Sequence, residues 1–209
     1  MSATIAKVGF WSGMAAALSA ITYDIVQILQ VTGALGFPLD EILIYGAALG
    51  IVVPFILEML AFHHLTEPGK QFWTHGALFF TALYAVFVTA NYVVQLATVI
   101  PAKLGGEIDA VRILDQTPHS LFWNFDATGY ISMGFATLLA VPALGRTGIE
   151  GLARISFMAN VLVTPLIGFV YFYPTYSPSL LFVGSPWAIT APLAMFMLAL
   201  VLRRRSGAR

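Results

Sequence analysis

Cysteine is absent from the 209 residues, which excludes disulfides, thiol catalysis, thiolate metal centres and iron–sulfur clusters. Charge is nearly as scarce: Asp, Glu, Lys and Arg make up 10% of the chain, against about 25% in soluble domains. The ten basic residues balance the ten acidic ones. With zero net charge and a pI near 6.9 the chain offers no basic field, so no nucleic-acid partner is expected. No lysine lies within the body of an apolar stretch, which removes Schiff-base attachment of a retinal-type group. A glycine-rich nucleotide loop and a nucleophile-elbow motif are also missing, leaving ATP-driven work and standard hydrolase chemistry without a basis here.

What the chain has instead is apolar surface. Hydrophobic residues make up 59% of it and the mean hydropathy is +0.85. Six stretches, over about 8–31, 42–64, 72–100, 119–143, 152–173 and 180–202, are long enough for a hydrocarbon core, which takes about 20 helical residues. Lys7 and the small residues near Ser19 imitate a cleavable leader, but apolar character continues to Val31, so the first stretch reads as a retained span. The expected fold class is all-α: a single domain over 1–209, a polytopic bundle of six transmembrane helices. Membrane lipid surrounds it, and the expected location is a bacterial inner (plasma) membrane.

Turn chemistry separates the stretches, with Gly33, Gly36 and Pro38, then Glu67-Pro68-Gly69, Gly105-Gly106, Gly145 and Gly148, and Pro174 to Pro178. Pro54, Pro165 and Pro192 fall inside spans, where kinks are tolerated. A cytoplasmic N-terminus puts Lys7, Lys70, Arg146, Arg154, Arg203, Arg204, Arg205 and Arg209 inside and only Lys103 and Arg112 outside, as the positive-inside rule favours. Both termini are then cytoplasmic. Trp11 and Trp73 open spans at the inner boundary, Trp123 and Trp187 at the outer one, as two interfacial belts. Gly46-x-x-x-Gly50, Gly13 and the Gly129/Gly134 pair permit close helix approach, within the bundle or in a homodimer. Ile108, Val111 and Leu114 share one side of a short interfacial helix in the long outer loop, and Thr117-Pro118 is the expected start of the fourth span.

This orientation converts positions into depths. Asp24 and Gln27 on the first span, Asn91 and Gln95 on the third, and Asp126 on the fourth share the outer part of the membrane, with Tyr23, Tyr92, Tyr171 and Tyr173 near the same level. His119, Trp123, Asp126 and Tyr130 follow a helical stripe. No basic residue lies at that depth, and an ionised carboxylate near the bilayer centre costs about 2.5–3.5 kcal/mol. Four solutions are open: protonation, solvation by amides and tyrosines, a fold-back of Lys103 or Arg112, or a cationic ligand. The expected ligand-binding set is Asp24, Gln27, Asn91, Gln95, Trp123, Asp126 and Tyr130, lining an outer-facing cavity, with Asp126 and Asp24 the candidate catalytic acids.

The corresponding activity is binding or transport of a small cationic or amphiphilic molecule, with proton coupling where the acids titrate. The alternatives are a membrane-embedded enzyme using acid catalysis on a lipid or isoprenoid, and an accessory subunit whose polar groups only join helices. Glu58, His63, His64 and His75 gather in sequence near the inner boundary as a weaker oxygen/nitrogen metal set; a glutamate paired with Arg146 or Arg154 is the plainer account. Haem lacks matched histidines, since His119 stands alone on the outer side. No cofactor is expected. Asn160 and Thr164, one turn apart before Pro165, serve the kink or a site equally well.

Overall fold

Apolar stretches of this length must satisfy their own backbone groups when water is absent, and helix is the local answer. The structure, a computed structural model, describes residues 2–207, without the side chains of 206 and 207. Arg209 of the basic tail lies outside the described residues. Among them the chain is helical with no strand: α1 (Ser2–Val31), α2 (Leu39–His64), α3 (Gln71–Val94), α4 (Ile100–Leu104), α5 (Ile108–Val111), α6 (Leu121–Ala140), α7 (Gly148–Phe172), α8 (Leu181–Gly184) and α9 (Trp187–Gly207).

Five helical segments are long and apolar enough to cross a membrane: Ser2–Val31, Leu39–His64, Pro68–Leu104, Gly148–Phe172 and Pro178–Arg205. The long helix outside this set is α6, whose Asn124, Asp126, Thr128, Ser132 and Thr137 dilute its apolar character. By composition, then, five rather than six helices qualify as spans. The chain is an integral membrane protein by this measure.

The six long helices form a closed ring in which α1 packs on α2, α2 on α3, α3 on α6, α6 on α7, α7 on α9, and α9 back on α1. Chain neighbours are therefore ring neighbours, and alternate helices run in opposite directions. At one end, Leu65, Lys70, Ala143, Glu150 and Arg205 line a common depression, and Arg205 donates to Glu150 Oε1 at 2.9 Å and to the Leu65 carbonyl at 3.2 Å. We call this the basic end. At the far end, Gln30 donates to Asp40 at 2.8 Å, while Lys103 meets Asp115 at 2.9 Å and Glu41 at 3.4 Å.

Several expected boundaries move. α1 starts at Ser2, two turns before the apolar run, because nothing in residues 2–7 breaks a helix. The third span reaches Leu104, through a π-helical turn over Gln95–Val99 into α4. α6 begins at Leu121, capped by Ser120, whose Oγ accepts from the Trp123 amide at 3.1 Å; Thr117-Pro118 is loop. The last span is split, with a 3₁₀ turn at Pro178–Leu180 and α8 preceding α9. The short α5 buries Val111 but exposes Ile108, so the expected apolar side is not shared.

Small residues set the helix spacing, as the sequence suggested. A methyl on Gly129 would come 2.7 Å from Val88 of α3, and one on Gly50 would come 2.8 Å from Ser19 of α1. Gly46 faces open space. α2, α7 and α9 run through Pro54, Pro165 and Pro192 without a break. Asn160 brackets three helices: it donates to Thr137 of α6 at 3.2 Å and accepts from Thr190 of α9 at 3.2 Å. Thr164 donates to the Asn160 carbonyl at 3.2 Å, the back-bond of a hydroxyl to its own helix.

Candidate functional site

Residues spaced one turn apart on α3 and α6 bring their polar groups to the ring's interior. Asp126 is 1% exposed, yet both of its oxygens have partners. Tyr92 of α3 donates to Oδ1 at 2.5 Å, Asn91 donates to the same oxygen at 3.4 Å, and Tyr171 of α7 donates a very short bond to Oδ2. The Tyr92 and Tyr130 hydroxyls are 3.0 Å apart. Since Tyr92 spends its one proton on Asp126, Tyr130 is the donor in that pair.

The donors are neutral. Hydrogen bonds to a charged group are worth about 1.5–3 kcal/mol each, so three of them offset the insertion cost of a carboxylate without a cation. Solvation by an amide and tyrosines, one of the four solutions, is in place around Asp126. Lys103 does not fold back to Asp126, because Asp115 and Glu41 hold it at the far end. Arg112 makes no ion pair among the described residues.

Aromatic rings surround this centre from all six long helices. Tyr45 of α2 stacks on Tyr92 at 5.1 Å, Tyr23 of α1 lies 6.5 Å from Tyr130, and Trp187 of α9 is edge-on to Tyr130 at 4.7 Å. Trp123 of α6 packs on Tyr171 at 4.5 Å and donates its indole N–H to the Tyr171 carbonyl at 3.1 Å. Tyr84, deeper on α3, is 6.5 Å from Tyr130. Trp123 and Trp187 are therefore buried within the ring, while Trp11 and Trp73 are exposed on its outside.

The far-end loop closes over the group. Asn91 also donates to Gln116 Oε1 at 3.0 Å, Gln95 donates to the Leu114 carbonyl at 2.8 Å, and the Gln116 amide donates to Gln95 Oε1 at 3.3 Å. Asn91 and Gln95 are fully buried. The expected outer-facing cavity is thus a covered polar centre, because the loop supplies amide partners that no helix offers. Two polar atoms within it lack hydrogen-bond partners, Asn91 Oδ1 and Trp187 Nε1; Tyr84 Oη, further in, is a third.

Of the expected binding residues, Asn91, Gln95, Trp123, Asp126 and Tyr130 come together. Asp24 and Gln27 do not join them: both are half-buried and make no hydrogen bond among the described residues. Tyr23 turns into the ring, and its chain neighbour Asp24 points about 100° away on the helix. His119 also leaves the stripe, since its φ of +67° places it before the helix rather than on it. Gln116, Tyr45 and Trp187 join the centre without having been expected there; Trp187 had been expected at the outer boundary.

The inner set does not assemble. Among the described residues no group of three or more His, Asp or Glu side chains is placed to hold a metal. Glu58 is fully buried against Gly13 of α1, with neither oxygen hydrogen-bonded. Burial there separates it from His63, which meets Thr74 at 2.7 Å and the ring of His75 at 5.2 Å, and from His64, which is exposed. Arg154 does not reach Glu58 either, since it caps the Val141 carbonyl at 2.7 Å.

The fold and the buried centre define an all-helical protein with several membrane-crossing helices around an acid held by tyrosines. Compared with protein-family models, curated proteins and solved structures, the chain matches none.

Proposed function

We propose that this is a six-crossing membrane protein with its basic end in the cytoplasm, and that the centre around Asp126 binds a small cationic or amphiphilic molecule. The alternation of helix directions around the ring supports a sixth crossing by α6, and the basic residues of that end support the orientation. The observation that carries the binding reading is a buried carboxyl with only neutral donors, enclosed by aromatic rings from six helices. Ring faces attract a desolvated cation by about 2 kcal/mol. Asn91 Oδ1, unpaired beside Asp126, is an acceptor for a second N–H of a bound ammonium.

Calorimetric titration of the purified protein in nanodiscs with a series of alkylammonium ions, beside the matching neutral alcohols, tests this. The ammonium ions should bind and the alcohols should not. Asp126→Asn should weaken binding by about tenfold to a hundredfold, the worth of one charge-assisted contact. Equal binding by the Asn variant, or none by the wild type, would overturn the reading. Uptake of the same ammonium into protein-bearing vesicles separates a carrier from a receptor.

A second reading is favoured by the engagement of both Asp126 oxygens within the protein. There the centre only pins α3, α6 and α7, and Asp126→Asn changes thermal stability alone.

A further inference from the structure

We infer that the loop over residues 105–120 is a lid, latched by Gln95 and Gln116, through which a water-borne ligand reaches Asp126 from the outer face; this rests on the ligand-binding reading above. Three observations converge on it. First, the loop is tied to the centre by polar bonds rather than by packing. Its ties are Asn91 to Gln116 at 3.0 Å, Gln95 to the Leu114 carbonyl at 2.8 Å, the Gln116 amide to Gln95 at 3.3 Å, and Asp115 to Lys103 at 2.9 Å. Val111 is its one buried apolar side chain, while Ile108 and Ile113 are exposed. A segment with so little apolar burial belongs to the low-stability end of a structure, where local opening occurs first.

Second, the loop has a joint at each end. Gly106 has φ +79° and His119 has φ +67°. For glycine this conformation is free, but for histidine it is unfavourable, so the second joint is held by its surroundings rather than by preference. Beside it, a depression of about 460 Å³ lined by Asp109, Arg112, Ile113, Ser120 and Leu121 separates the loop from the first turn of α6. The lid does not pack flush at that edge.

Third, the latch sits on the one π-helical turn of the third span, Gln95–Val99. Such turns insert an extra residue into a helix and are frequent at functional sites. Here the turn begins with Gln95, whose amide gives one bond to the loop and takes one from it. The residues covered by the lid are those of the polar centre, so lifting it exposes Asp126 and Asn91 to water and not to lipid.

The absence of cysteine makes the test direct. In a Trp11→Phe, Trp73→Phe background, fluorescence reports Trp123 and Trp187 at the centre, and acrylamide is a small water-borne quencher. Gln116→Ala should raise the quenching constant, by up to about fivefold if one net hydrogen bond of about 1 kcal/mol is lost. A Gln95→Cys, Gln116→Cys pair, oxidised, should fall below wild type and recover on reduction. Quenching that is the same in wild type and Gln116→Ala, or unchanged in the paired variant after loss of free thiol shows the bridge has formed, overturns the lid. Because acrylamide needs no binding site, a failure of ammonium binding leaves this result readable, and amine binding that persists in the crosslinked protein overturns the lid alone.

Discussion

Gly13 of α1 lies directly against the carboxyl of Glu58 on α2. A methyl group in its place would overlap Glu58 Oε1 and come 2.8 Å from Ala199 of α9, so three helices meet at one missing side chain. Gly13→Ala should destabilise the bundle by about 1–3 kcal/mol, the usual cost of overpacking. In combination with Glu58→Ala the penalty should shrink, because the overlapped atoms are gone. Thermal melting of the two single variants and the double variant in detergent measures this coupling; strict additivity would show that Gly13 does not meet Glu58.

Tyrosine hydroxyls in the ring differ in what they hold, and the difference can be measured. Tyr92 and Tyr171 donate to Asp126, so Tyr92→Phe and Tyr171→Phe should each cost about 1–3 kcal/mol by leaving a buried carboxyl oxygen short of a donor. Tyr84 is equally buried but its hydroxyl has no partner. Tyr84→Phe should be neutral or stabilising. Melting curves that rank the three variants otherwise would contradict the hydrogen-bond assignments.

Asn160 is the only side chain among the described residues that hydrogen-bonds to both α6 and α9 from α7. Asn160→Ala should lower stability by about 1–3 kcal/mol through two lost bonds and a small void. Thr190→Val, which removes one of the two, should cost less. The ratio between them is read from the same melts.

Topology has its own test. Single cysteines introduced at exposed loop positions of an otherwise cysteine-free chain report sidedness without background. Glu107→Cys and Thr175→Cys should react with a membrane-impermeant maleimide added outside intact cells, and Glu67→Cys and Thr147→Cys only after lysis. Labelling of positions 107 and 147 from the same side would remove α6 from the set of crossings.

How far the residues themselves announced this arrangement varies by element. Apolar length located the long helices, since hydrophobicity of that extent has few other uses. Turn residues marked the connections, but α6 starts at Leu121, three residues after the expected Pro118, with Ser120 as its cap, because local preference fixes helix ends only loosely. Spacing along α3 and α6 put Asn91, Gln95, Asp126 and Tyr130 on inward faces. It could not say that Asp24 faces elsewhere, since the packed face of α1 is marked mainly by alanine and glycine, which no apolar stripe distinguishes. Nor could it bring Gln116 to Gln95: a loop residue folding back over a helix end obeys no period, and only the tertiary contacts select it. Glu58 was misplaced for a related reason, as the space that accepts it is made by Gly13 on another helix.

Ring closure between α1 and α9 has a consequence for assembly. The helices that seal the bundle stand at opposite ends of its chain, so Tyr23 and Tyr130 receive the indole of Trp187 between them only after every intervening segment is in place. α6, the long helix outside the spanning set, rests between α3 and α7, which bring the hydroxyls of Tyr92 and Tyr171 to its Asp126. A fragment that stops short of α9 is an open arc: it keeps every donor to Asp126 but lacks the indole that shuts the ring beside Tyr130.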